Sequence, residues 1–175
     1  MDQQGNSLQS IAKRVVKECL SVGGHVLLVD YPEVQNTDLT VAQAESQGVR
    51  PTIQSYTRES LINWRSEVQN GEEVVTLLVF KEERAVENTS DEFRHDKEVV
   101  YRVLRLRDGV YTSQLYIQPK EGTIIVEDEV APRQGDSALA RIPVVFISPE
   151  DLRPKIRPSP LESLADSSMT VNVNS

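Results

Sequence analysis

Residues able to do chemistry are few and scattered along this chain. The histidines are His25 and His95, the single cysteine is Cys19, and Asp30 ends an aliphatic run, a place where carboxylates can serve as bases or metal ligands. A zinc site needs His or Cys at short spacing, as in H-E-x-x-H or C-x-x-C, and neither spacing occurs. Gly23-Gly24 precedes an apolar run, whereas a phosphate loop follows a strand and opens a helix, so the order is wrong for nucleotide binding. The acidic runs Glu82-Glu83 and Glu127-Asp128-Glu129 lack calcium-loop spacing and read as solvated edges. Arg102, Arg105 and Arg107 form the one basic cluster of note and are the candidate interaction surface, toward phosphate or a neighbouring subunit's carboxylates. The competing account has them line the solvent face of a two-stranded ribbon and blunt its edge. No catalytic residue, cofactor or metal is expected.

The elements that must position these residues follow from patterning. At 175 residues, with 38% apolar and 26% charged content, the chain fits one domain with a core that needs no disulfide or metal. A net charge of -8 argues against gripping nucleic acid by the general surface. No apolar run approaches the length of a membrane span, and Met1 to Asn6 shows no secretory n-region, so a cytosolic setting is expected, with Asn88-Thr89-Ser90 an accidental glycosylation match. Cys19 then reads as core filling.

Gly23-Gly24-His25-Val26-Leu27-Leu28-Val29-Asp30-Tyr31-Pro32 reads as a strand buried on both faces, bounded by glycines and a proline. Ahead of it, Asn6 is the expected N-cap of an amphipathic helix carrying Leu8, Ile11, Ala12, Val15, Val16, Cys19 and Leu20, which should pack on that strand. A short helix is expected over Leu39 to Gln47, then a strand from Thr52 to Tyr56. Hairpins are expected at Asn70-Gly71 and Asp108-Gly109, because both pairs tolerate the positive φ of a type I′ turn. Glu82 to Lys97, charged and almost without apolar residues, reads as a mobile excursion between them. A short strand over Thr123 to Glu127 and a buried one ending Val144-Val145-Phe146-Ile147 complete the set. Ser159-Pro160-Leu161-Glu162 is a helix-start signature, with Leu161, Leu164 and Ala165 beginning an apolar face that Ser167 to Ser175 does not continue.

Taken together, the patterning predicts an α+β fold: a mixed or antiparallel sheet with hairpins, packed on one long amphipathic helix. The expected division is 1–157 as the α+β domain and 158–175 as a helix start and disordered tail.

Several blocks resemble a tailed-bacteriophage portal-protein family, the head-to-tail connectors, often described only as a phage domain of unknown function. They are Gly5-x-Ser7-Leu8, Gly23-Gly24 with Leu27 to Pro32, Arg50-Pro51, Tyr56, Ser60 to Arg65, Tyr101 to Leu106, Ile142 to Ile147 and Pro160 to Asp166, spread over about residues 2 to 166. The resemblance implies a structural, non-enzymatic role at the capsid vertex in viral DNA packaging and head-tail joining, as a homo-oligomer meeting capsid, terminase and tail adaptor proteins, in the virion or the host cytoplasm. This stretch is similar to the wing region. Membrane and direct nucleic-acid contacts are not expected of it. Because the helix opening at Pro160 runs into unmatched sequence, the chain reads as a truncated piece without the channel and terminase-docking parts. A free-standing protein-binding adaptor of prophage origin is the alternative, and an enzyme built on Asp30 and His25 would need a cleft joining the two.

Overall fold

The computed structural model describes residues 5–31, 51–87, 95–119, 122–134, 137–155 and 157–162. The helix expected over Leu39 to Gln47 and the tail from Ser167 to Ser175 lie outside the described residues. What forms is mainly antiparallel β: 54% of the described residues are in strands, in three sheets, and 15% are helical. The expected α+β arrangement, with its sheet packed on one long helix, is therefore corrected. Two compact units form.

The first unit draws its described residues from Met1–Asp30, Pro51–Arg58 and Pro143–Ser175. It holds α1 (Leu8–Val22), β1 (His25–Asp30), β2 (Thr52–Thr57) and β10 (Val144–Ile147), and its sheet has the order β10-β1-β2. Ser7, one residue later than expected, caps α1: its Oγ accepts from the Ser10 amide at 3.2 Å, satisfying a donor the helix leaves open. Gly23 ends the helix at φ 78. Ile11, Val15 and Cys19 form the buried row of α1 and pack on Leu27, Ile53 and Ile147. The opposite face of the same sheet carries Val26, Leu28, Tyr56 and Phe146, all buried, so β1 is enclosed on both sides.

The second unit contains Glu59–Ile142, with β3 (Leu61–Gln69), β4 (Glu72–Glu87), β5 (His95–Arg107), β6 (Val110–Gln118) and β7 (Ile125–Val126) in an up-and-down sheet of that order. A small ribbon of β8 (Arg133–Gln134) and β9 (Ser137–Ala138) follows. The hairpin turns take positive φ, 52 and 82 at Asn70 and Gly71, 51 and 73 at Asp108 and Gly109, as type I′ geometry requires. Cross-strand register places Leu78, Phe80, Val100, Leu104, Tyr111 and Ile117 on one face, all buried. The physical reason for the corrected architecture is pairing: β4 bonds to β5, which joins the two hairpins into a meander with its own buried face and leaves β1 to pair with β2 and β10.

The stretch expected as a mobile excursion is largely strand. Glu82–Glu87 pairs with His95–Val100, and only 88–94 fall outside the described residues. Charges that read as a loop sit across the ladder from one another: Lys97 to Glu83 at 3.0 Å and Arg84 to Glu98 at 2.6 Å, the cross-strand pairing that holds a ribbon together when apolar side chains are scarce. Beyond Phe80 on one side and Val99 on the other, the ribbon has no sheet neighbour among the described residues.

Candidate functional site

The three arginines do not make one surface. Along β5 side chains alternate, so Arg102 lies on the face of Phe80 and Leu104, while Arg105 and Arg107 lie on the other. Arg102 donates through Nε to Glu82 at 2.7 Å. Arg105, with 14% of its side chain exposed, donates to Gln114 Oε1 at 2.9 Å, to the Tyr116 hydroxyl at 3.0 Å and to Glu129 at 3.3 Å, its guanidinium 5.9 Å from the Tyr116 ring centroid. Thr112 also donates to Glu129 at 2.6 Å, and that bond, ahead of the nearby Arg105 and Arg107 charges, holds the Glu129 carboxyl below its usual range. These groups are committed to each other across β5, β6 and the segment after β7. Arg107 is exposed at the hairpin end. The spacing carried this outcome: residues three apart on a strand point to opposite faces.

His25 and Asp30, the pair an enzyme reading would need, stand at the two ends of β1. Five residue steps along the strand separate them by about 17 Å and put them on opposite faces. His25 is buried, its Nε2 2.7 Å from Ser55 Oγ, while Nδ1 has no hydrogen-bond partner among the described residues. Burial, helped by the charge of Arg14, lowers its pKa from 6.5 to about 4. The imidazole is thus neutral at pH 7. Between 6.5 and 4 the unfolded chain takes up a proton that the folded chain refuses, so stability falls as pH drops through that window, by roughly 3 kcal/mol in all. Urea unfolding at pH 7 and pH 4 measures this, and His25→Gln should flatten the difference; an equal pH dependence in the variant would assign the effect elsewhere. Cys19 is buried and 3.5 Å from the Ile147 carbonyl, with burial first and Glu18 second pushing its thiol pKa up, so it stays a thiol. His95 begins β5 and stands opposite Glu87.

Among the described residues, no group of three or more His, Cys, Asp or Glu could hold a metal ion. The richest polar constellation is one the sequence did not announce, at the C-terminal end of α1. Arg58, just after β2, donates from Nη1 to the carbonyls of Val22 at 2.6 Å and Arg157 at 2.8 Å, clasping the helix end to the segment after β10. That segment is braced in turn: Arg157 donates to Asp151 at 2.7 Å and lies 3.3 Å from Glu150, and the Arg157 contact is the main reason the Asp151 carboxyl titrates low. Ser159 donates its hydroxyl to the Leu20 carbonyl at 2.6 Å and accepts from the Leu161 amide at 3.1 Å, so it caps one helix end and opens the next turn. Beside the clasp lies an open depression of about 770 Å³, walled by Ser21, Val22, Arg58, Pro158, Leu161 and Glu162. With its one arginine engaged by backbone carbonyls, this place is equipped to hold chain segments together.

Exposed aliphatics complete the surface. Ile124, Ile125 and Val126, each more than half exposed, run along the β7 edge, and Leu8, Val16 and Leu20 stand out from α1. Periodicity had assigned Leu8, Val16 and Leu20 to the apolar stripe that packs on the strand; the helix buries the neighbouring row instead. Compared with known proteins, no family model matches this chain and no curated protein matches it significantly.

Proposed function

We propose that this chain is a structural segment of a tailed-phage portal protein, wing-like in position, working by contact with copies of itself and with capsid or tail components. One observation carries the proposal: blocks of the resemblance that are far apart in sequence meet in space. Leu27 stands opposite Val145 and Leu28 opposite Val144. In the second unit, Trp64 and Arg65 border β4 on one side and Tyr101 to Arg105 border it on the other. Residues converging on shared packing are what a common fold constrains, whereas a chance similarity would scatter.

Exposed aliphatics on α1 and along the β7 edge supply contact surface for an assembly. The adaptor alternative draws on the same aliphatics, the run at β7 being followed by three consecutive acids, Glu127-Asp128-Glu129. Gene order separates the two. The coding sequence is expected in a phage head cluster, beside a terminase large-subunit gene; a neighbourhood with no head gene sinks the portal reading, and a strictly monomeric chain in light scattering from such a neighbourhood favours the adaptor.

A further inference from the structure

The five-stranded sheet ends on one side in β3, and among the described residues no strand lies beyond it. Its side chains reach solvent in the folded chain: Ile62 is 50% exposed, Asn63, Arg65, Glu67 and Gln69 are exposed, and Val68, at 76%, is the most exposed of the large aliphatics described. An edge of this kind is a template for another strand unless charge, proline or a bulge blunts it. β3 holds no proline, and from Asn63 to Gln69 it holds no inserted residue either, because the break in register at Arg65/Ser66 skips Thr76 on β4.

The charges on this edge are its most specific feature. Arg65 stands opposite Leu77 and Glu67 opposite Val74, so β4 gives neither of them a counter-charge. By strand alternation Asn63, Arg65, Glu67 and Gln69 share one face, and Trp64, Ser66 and Val68 share the other. Gln69 and Glu72 flank a two-residue turn and bond to each other, so Gln69, Glu67 and Arg65 direct their backbone groups at β4 while Val68 and Ser66 direct theirs away from it. The Thr76 hydroxyl, which donates to the Arg65 carbonyl at 3.4 Å, agrees with that count.

We propose that β3 is a two-fold contact between copies of this chain: the strand pairs antiparallel with β3 of a second copy, in the register centred on Ser66. That register sets Arg65 of each copy against Glu67 of the other and Asn63 against Gln69, while on the opposite face Trp64 covers Val68, an aromatic against a β-branched residue. Moving the centre to Arg65 or to Glu67 keeps the backbone bonds but sets like charges face to face. Edge charges that would otherwise repel every partner here admit one. A single strand edge covers little area, so the dimer is weak and forms with rising concentration. A two-fold contact also closes at two copies, so it is separate from the aliphatics of α1 and β7 and stands under either functional reading.

Disulfide trapping and sizing of the full chain test this. Ser66→Cys puts two thiols across the two-fold axis with about 5.5 Å between Cα atoms, within disulfide reach, whereas Gln69→Cys leaves its two thiols about 20 Å apart. On mild oxidation the first variant is expected to give a disulfide-linked dimer, with residue 66 joined to residue 66 in the linked peptide by mass spectrometry. The second should stay unlinked, and Cys19, buried, remains in both. Light scattering of the native chain should show a monomer-dimer equilibrium, weakened about tenfold by Arg65→Glu or by Glu67→Arg and restored when the two are combined, because the signs are then exchanged. Unchanged circular dichroism checks that each variant folds. A native chain that stays monomeric at every soluble concentration overturns the proposal. So does a dimer that links as readily through Gln69→Cys or that neither charge variant weakens, since both place the contact elsewhere; a double variant as weak as the single ones overturns the register.

Discussion

Gly23→Ala should unfold the first unit at temperatures the native chain tolerates, with a loss of about 4 kcal/mol or more, placing it among the largest single-residue effects. Two penalties act together at this position. Gly23 has φ 78, the left-handed region that a residue with a Cβ enters at a cost of about 1–2 kcal/mol. A Cβ built there would also lie 2.2 Å from the Arg157 carbonyl oxygen and 2.8 Å from the backbone of Pro158, and backbone cannot turn aside as a side-chain tip can. Moving that segment pulls the Arg157 carbonyl from Arg58 and strains the Ser159 anchor at Leu20. Gly71→Ala separates the penalties, since Gly71 has φ 82 and nothing within 4 Å of a Cβ, so only the cost of about 1–2 kcal/mol remains. During urea unfolding, helical circular dichroism measures the Gly23 variant and Trp64 fluorescence, from the hairpin that Gly71 closes, the Gly71 variant. Equal, small losses would mean that the approach of residues 157–158 to the helix end is not what holds this unit.

Phe80→Ala should produce the second large effect, a loss of about 3–5 kcal/mol from the five-stranded sheet. Phe80 is fully buried on β4 and shares its face with Leu78, Val100 and Leu104. Close-packed neighbours collapse only partly into the space an aromatic ring vacates, so a residual cavity adds to the lost transfer energy. The same face carries the Arg102 and Glu82 pair, which shields the ring's flank, and water entering the vacated space would weaken that pair as well. Val79→Ala, next along the strand on the opposite and less buried face, is the comparison and should cost far less. Trp64, the only tryptophan, stands opposite Leu78 and reports the transition by fluorescence. If the two variants cost the same, the face of β4 that organises this sheet has been misassigned.

Gly23 and Phe80 show where sequence-level reasoning holds and where it stops. A glycine terminator at Gly23 or Gly24 was legible, because a left-handed residue after an amphipathic run is a local requirement; the structure puts it at Gly23. Its approach to Arg157, more than a hundred positions away, was not, and neither was the clasp by Arg58, since no spacing links residues 22, 58 and 157. The alternating charges of Glu82 to Lys97 misled for a related reason: a ribbon stabilised by cross-strand ion pairs has the composition of a loop until its partner strand is known.

By itself, then, the sequence determined what depends on neighbours a few residues apart: α1, the glycine turns at Asn70-Gly71 and Asp108-Gly109, and the burial of β1. Only the tertiary structure decided which strands pair, that the hairpins join into a sheet of their own, which row of α1 is buried, and that Arg105 is engaged by Gln114, Tyr116 and Glu129. Local preferences are set by backbone sterics and side-chain periodicity over one or two turns, whereas strand pairing and the choice of buried row depend on packing between segments whose separation along the chain leaves no periodic trace.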